Sequence, residues 1–182
     1  LKLGMGENTL TFSGNSVNAG GVDTVKDIVP TAYTPVYENT NGTDNGLATT
    51  SGRSTKGMWG YAYNGVDDFA ISIGYNPVPA EGASPETSVG IKYTPSAYDG
   101  LTLAVGRFDD SDTAENDTIG IKYTVGSVTA AYQLTNVDYA AAGTADQEAD
   151  HMGVSIAVNE NLSISVGRQA VEIDKAVDDE IN

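Results

Sequence analysis

Apolar residues alternate with small or polar residues along much of the chain. In residues 101–106, Leu101, Leu103 and Val105 fall on one face of an extended chain, and the residues between them fall on the other. A period of two indicates a β-strand with two different faces. The pattern predicts about nine strands, at residues 9–13, 59–63, 69–76, 88–94, 101–106, 119–124, 128–134, 151–158 and 162–167.

The connections between these strands predict two unlike ends of a sheet. Short connections are expected at residues 64–68, 95–100, 125–127 and 159–161, and long acidic ones at 77–86, 109–116 and 138–150. An octapeptide at 87–94 recurs in similar form at 117–124, which indicates a repeated hairpin. The longest connection spans residues 14–56, and its stretch 22–29 could form a short helix that ends at Pro30.

Two features favour a transmembrane β-barrel over a soluble β-sandwich, which would also alternate its faces. The second face consists mostly of Gly, Ala, Ser and Thr, which suits the inside of a water-filled barrel better than an exposed sheet. Aromatic residues also lie near the predicted strand ends, where barrels carry their interfacial girdles. The predicted fold class is therefore all-β, an antiparallel transmembrane barrel, and the sandwich with acidic ligand-binding loops is the alternative.

Composition excludes several other classes of function. The 182 residues carry a net charge of −16, which disfavours nucleic acid as a partner. There are no cysteines, so a disulfide framework and a thiolate metal site are both ruled out. No nucleophile motif or phosphate-binding loop is present, and we predict no enzyme activity.

The chain resembles the general diffusion porins of Gram-negative outer membranes, particularly those of alphaproteobacteria. The similarity rests on residues 6–14 (GENTLTFSG), followed by residues 21–23 (GVD), and on wall-like hairpin strands at residues 89–93 and 101–106. It extends over residues 1–182, which would be one partial barrel domain. The motifs have low specificity, because porins share a pattern more than fixed residues.

The resemblance implies an outer-membrane channel for passive diffusion of small hydrophilic solutes and ions, surrounded by lipid and assembled as a homotrimer. Such barrels have 16 strands when complete, and their long third loop folds inward to narrow the pore. If residues 14–56 are that constriction loop, the nine predicted strands are the fifth to the thirteenth. The chain would then be a fragment, as its odd strand count also suggests.

A constriction of this kind needs acidic groups from the loop and basic groups from the wall. The loop candidates are Asp23, Asp27 and Glu38. The wall candidates are Lys92 and Lys122, which alternation turns inward, and Arg53 at the end of the loop. Each of these residues could equally be an ordinary solvated charge.

The remaining candidates rank lower. Strict alternation turns Arg107 and Arg168 toward lipid, unless a bulge reverses them. Three carboxylates, Asp109, Asp110 and Asp112, offer a weak Ca²⁺ site, although a solvated loop is the favoured interpretation and no cofactor is required.

Overall fold

Ten strands form a single antiparallel sheet in which every strand pairs with its neighbours in sequence. The computed structural model describes residues 1–13, 20–25, 28–30, 58–77, 81–110, 112 and 114–173. The strands are β1 (Lys2–Met5), β2 (Asn8–Ser13), β3 (Met58–Val66), β4 (Phe69–Asn76), β5 (Glu86–Tyr93), β6 (Leu101–Asp110), β7 (Ala114–Val125), β8 (Val128–Tyr139), β9 (Gln147–Asn159) and β10 (Leu162–Ile173). None of the helices in these ranges is long and apolar enough to cross a membrane.

The predicted fold class is confirmed, with one strand more than expected. The additional strand is β1, which pairs with β2 from Lys2 opposite Thr11 to Met5 opposite Asn8. It is only four residues long, too short for a pattern of period two to stand out. The described residues form one sheet and not two packed sheets, so the sandwich alternative is not supported.

Several connections are shorter than predicted, because the strands continue into polar sequence. The predicted connection 109–116 shrinks to residues 111–113, and the predicted connection 138–150 shrinks to residues 140–146. Both faces of these extensions are polar, as in Glu115, Asn116 and Asp117, so alternation of apolar residues could not reveal them. On the other side, the connection between β5 and β6 covers residues 94–100. The two ends of the sheet are therefore less unequal in loop length than predicted.

The two faces of the sheet differ as the alternation predicts. One face, here called the apolar face, exposes large side chains such as Ile119, Ile121 and Val166. At the end of the sheet with the β3–β4 and β5–β6 turns, Phe69 stacks on its cross-strand partner Tyr93 with ring centroids 4.4 Å apart. Aromatic residues at a strand end fit an interfacial girdle.

The opposite face is contacted by a short part of the chain between β2 and β3. Residues 20–25 and 28–30, here called the crossing segment, lie across it, and we call this side of the sheet the covered face. The main apolar core lies between them and consists of Val22, Val25 and Ile28 with Ala104 and Phe108 of β6. The core is therefore made by one short segment and the small-residue side of the sheet.

The helix predicted at residues 22–29 is much shorter in the structure. A 3-10 helix covers only Gly21–Thr24, and residues 28–30 are not helical. A single 3-10 turn already brings Val22 and Val25 onto the sheet, where both are buried. The segment then reaches from Gly90 of β5, which faces Gly21, to Gly153 of β9, which faces Pro30. Four strand spacings are about 19 Å, whereas a helix over residues 21–30 would advance only about 14 Å.

A pair of turn glycines tests the backbone geometry. Gly100 has φ +82°, and a Cβ there would lie 2.0 Å from the Thr124 carbonyl oxygen. Gly126 also has a positive φ, +58°, but a Cβ there meets nothing within 4 Å. Both Gly→Ala changes should cost about 1–2 kcal/mol for the left-handed backbone, and Gly100→Ala should cost about 1–3 kcal/mol more for the clash. The urea midpoint of the folded protein in detergent measures the difference, and equal midpoints would contradict this turn geometry.

Candidate inner-wall site

A track of glycines on the covered face lets the crossing segment approach the sheet closely. A Cβ on Gly90 of β5 would lie 2.3 Å from the Gly21 carbonyl oxygen, and one on Gly153 of β9 would lie 2.8 Å from the Pro30 carbonyl oxygen. These distances are shorter than any real Cβ contact. Between them, Gly106 of β6 faces Val22 and Val25, and Gly120 of β7 faces Ile28. Because these four glycines have no side chain, they leave a shallow groove, here called the seat, that runs from β5 to β9.

Three polar side chains of the sheet hold the backbone of the segment. The Gly21 N–H donates to Ser72 Oγ at 2.8 Å, and the Val22 N–H donates to Ser88 Oγ at 2.7 Å. Farther along, the Ile28 N–H donates to Gln133 Oε1 at 3.3 Å. Gln133 is itself held, since its Nε2 donates to Thr118 Oγ1 at 3.1 Å. The segment is thus fixed at both of its ends to β4, β5 and β8.

These bonds matter because the groups that form them are buried. A buried N–H that loses its acceptor costs about 1–3 kcal/mol. Val22 is 0 % exposed and Gln133 is 0 % exposed, so water could not replace the lost partner without rearrangement. The segment is therefore a built part of the sheet's interior face.

Both candidate wall lysines lie on the covered face. Lys92 of β5 is opposite Ala104, and Lys122 of β7 is opposite Thr102, so β6 separates them. Each lysine is two residues beyond a glycine of the seat: Lys92 beyond Gly90, and Lys122 beyond Gly120. Both are half-buried. They therefore border the crossing segment on the side of the β5–β6 and β7–β8 turns.

Of the acidic loop candidates, the structure describes Asp23, which is half-buried in the 3-10 helix. Asp23 precedes Thr24, whose hydroxyl donates to the Gly21 carbonyl oxygen at 2.8 Å. This places the carboxylate on the crossing segment above the wall. Asp27, Glu38 and Arg53 lie outside the described residues, so their proposed roles stay predictions.

Arg107 and Arg168 both lie on the apolar face, because the register continues through them without a bulge. Arg107 forms an ion pair with Asp117 at 3.1 Å and another with Glu115. Exposed pairs of this kind contribute little to stability. They do show that the loop end of the apolar face changes from hydrocarbon-like to charged. Neither arginine joins the lysines on the covered face.

The three carboxylates considered for Ca²⁺ do not converge. Asp109 and Asp110 are consecutive strand residues and point to opposite faces, and Asp110 Oδ1 accepts from the Asp112 N–H. The described residues contain no group of three or more acidic or histidine side chains placed to hold a metal ion.

Asp112 instead connects two loops. Its carboxylate accepts hydrogen bonds from the backbone N–H of Ser84 and from the Ser84 hydroxyl, the latter at 2.9 Å. These bonds, the backbone one foremost, hold the pKa of the Asp112 carboxyl below its usual value. Both oxygens of this carboxylate are therefore already used within the protein.

Sequence reasoning identified the small residues of the second face but missed what they seat. The sequence does not reveal that Ser72, Ser88 and Gln133 accept hydrogen bonds from the crossing segment. No local pattern distinguishes them from other polar residues on that face. The glycines carried a usable signal, because Gly90, Gly106, Gly120 and Gly153 all fall at second-face positions of predicted strands. Glycine weakens a strand, so repeated glycine on one face indicates close approach of another backbone.

Comparison with solved structures supports the same architecture. A porin structure refined at 1.8 Å resolution matches with a TM-score of 0.67 at 14 % identity, covering 95 % of this chain and 64 % of that one. At this identity the likeness concerns the fold. The chain spans a little less than two thirds of the length of that porin.

One further solved structure and two comparisons of the sequence give the following results. A mutant of Rh. blastica porin matches with a TM-score of 0.48 at 12 % identity, covering 93 % of this chain and 70 % of that one. No curated protein matches the sequence. The family model described as Gram-negative porin matches residues 7–182. The chain therefore belongs to the Gram-negative porin family.

Proposed function

We propose that the full-length protein forms a water-filled barrel through which small hydrophilic solutes and ions diffuse passively. Membership of the porin family implies an outer-membrane diffusion channel. The observation that supports the specific proposal is the crossing segment, which is seated on the covered face by Ser72, Ser88 and Gln133. In a closed barrel this face would line the lumen, and the segment would narrow it.

The two faces of the sheet fit this proposal. The apolar face suits contact with lipid, since outward-facing barrel residues form an apolar band. The covered face carries hydroxyls, amides and the two lysines, which suits contact with water. We propose that residues 14–56 act as the constriction loop and that the full-length protein is a homotrimer, as the resemblance to general diffusion porins implies.

We further propose that charges near the crossing segment sort solutes. Asp23 lies on the segment, and Lys92 and Lys122 lie on the wall beside it. Fixed charges of opposite sign along a narrow passage favour small polar solutes and discriminate among ions. Asp27, Glu38 and Arg53 belong to the same proposal.

Conductance tests the proposed function directly. The full-length protein, extracted in detergent and added to a planar bilayer, should insert in discrete steps of ohmic current, because an open water-filled pore conducts ions without a transport cycle. An outer-membrane protein of similar size that forms no pore serves as the control for bilayer leakage. A protein that stays soluble without detergent and never raises the bilayer conductance would refute the channel.

A glycine of the seat tests whether the segment narrows the pore. Gly90→Ala places a Cβ against the Gly21 carbonyl oxygen, so the segment must move off the wall by about 1 Å to restore ordinary contact, at a cost of about 1–3 kcal/mol. The displaced segment should lower the single-channel conductance.

Gly4→Ala provides the matched control. Gly4 belongs to β1 on the same face, and a Cβ there meets nothing within 4 Å among the described residues. This variant should conduct like the wild type. If Gly90→Ala folds and conducts identically as well, the crossing segment does not limit the pore.

A further inference from the structure

A polar cavity lies on the covered face, at the end of the sheet with the β5–β6 turn. It has a volume of about 330 Å³ and lies between the ends of β5, β6 and β7. The polar side chains that line it are Thr94, Ser96, Asp99, Thr102, Lys122 and Thr124. Lys122 is the one cation among these lining residues.

The positive charge at this cavity is not balanced by a direct ion pair. Lys92 adds a second cation on the same face, two residues before Thr94 on the same stretch of chain. Within the described part of the chain, the ion pairs are those of Arg107, and neither lysine has a carboxylate partner. Each ammonium group can therefore donate a charge-assisted hydrogen bond to a bound anion.

Three of the four hydroxyls that line the cavity already have a partner, and one of these bonds joins Thr124 Oγ1 and Thr129 Oγ1 at 3.0 Å. Thr94 Oγ1 donates to the Asp68 carbonyl oxygen at 3.4 Å, and Ser96 Oγ donates to Asp68 Oδ2 at 3.2 Å, so these two hold the turn. Thr102 is directly opposite Lys122 in the register. Its hydroxyl can donate to the same ligand that the ammonium group binds.

Two carboxylates lie at the turn end of the cavity. Asp99 lines the cavity and Asp68 lies beyond Ser96, so an anion held by Lys122 meets negative charge on its outward side. A conducting pore needs a site that is attractive enough to enter and weak enough to leave. The opposed charges of Lys122 and Asp99 meet that requirement.

We propose that this cavity is a weak, saturable site for small oxyanions, a class that includes phosphate and carboxylates. Lys122 and Thr102 contact the anion, Lys92 adds to the attractive field, and Asp99 limits the affinity. The crossing segment contacts β7 next to this site, since Ile28 packs on Gly120, two residues before Lys122. The inference rests on the proposed channel and adds to it a class of solute and a place where that solute pauses.

Inorganic phosphate is the probe, and the full-length protein in a planar bilayer is the sample. Phosphate added to a chloride solution at constant ionic strength should reduce the chloride current with a saturating dependence. Lys122→Gln should raise the half-saturating phosphate concentration about tenfold, since it removes a charge-assisted hydrogen bond. Thr102→Val should raise it less. Asp99→Asn should lower it, a change that mere loss of folding could not produce.

Lys2→Gln is the matched control. Lys2 also lies on the covered face, because its partner Thr11 is opposite Gly60, but it is at the far end of the sheet. This change should leave the half-saturating concentration unaltered. If phosphate does not reduce the chloride current, or reduces it equally in the wild type and in Lys122→Gln, the anion site is refuted while the channel stands. Absence of any conductance would overturn both.

Discussion

The close approach of one backbone segment to the sheet is the constraint on which the rest of the structure depends. Gly21 and Pro30 place carbonyl oxygens where a Cβ on the strands would stand. Only glycine leaves that room, so the strands must present glycine at Gly90 and Gly153 while keeping the pairing of a continuous sheet. Glycine at these positions weakens the strands, and burial of Val22, Val25 and Ile28 offsets that loss of stability.

That constraint also explains the division of the sheet into two faces. A side chain large enough to fill the covered face would displace the segment, whereas the apolar face has no such limit and carries Ile, Val and Tyr. The distribution of residues is the reverse of that in a soluble protein, since large apolar side chains are exposed and several polar ones are buried. The large apolar residues point outward, as lipid requires, and the main apolar cluster of the described residues is made by the crossing segment and β6 on the interior face.

Much of the fold was predictable from alternation, since the faces of β3 to β10 follow directly from it. The prediction failed where the physical cause of alternation disappears. Beyond the apolar band both faces meet water, so alternation predicts loops at the polar ends of β7 and β9. Position in the sheet also escaped prediction: the inward direction of Lys92 and Lys122 followed from the period, but their place beside the crossing segment depends on long-range register. The helix predicted from residues 22–29 gave way to contacts with distant strands, such as the hydrogen bonds from Val22 to Ser88, 66 residues away, and from Ile28 to Gln133, 105 residues away.

The 182 residues contain no cysteine, so none of them competes with an introduced pair that reports on the central contact. A Cβ at position 106 would lie 2.7 Å from Val25 Cγ2, where the sulfur of Val25→Cys would lie in one rotamer, which is compatible with a disulfide between the two positions. The same Cβ would lie 2.7 Å from Val22 Cγ2, so Val22→Ala is added to both pairs below to leave room for it. Val25→Cys combined with Gly106→Cys should therefore form an intrachain disulfide on mild oxidation of the folded full-length protein. Val25→Cys combined with Val105→Cys, which points to the apolar face, should not. Failure of the first pair to form, or equal formation in both, would contradict a segment seated on the inner wall.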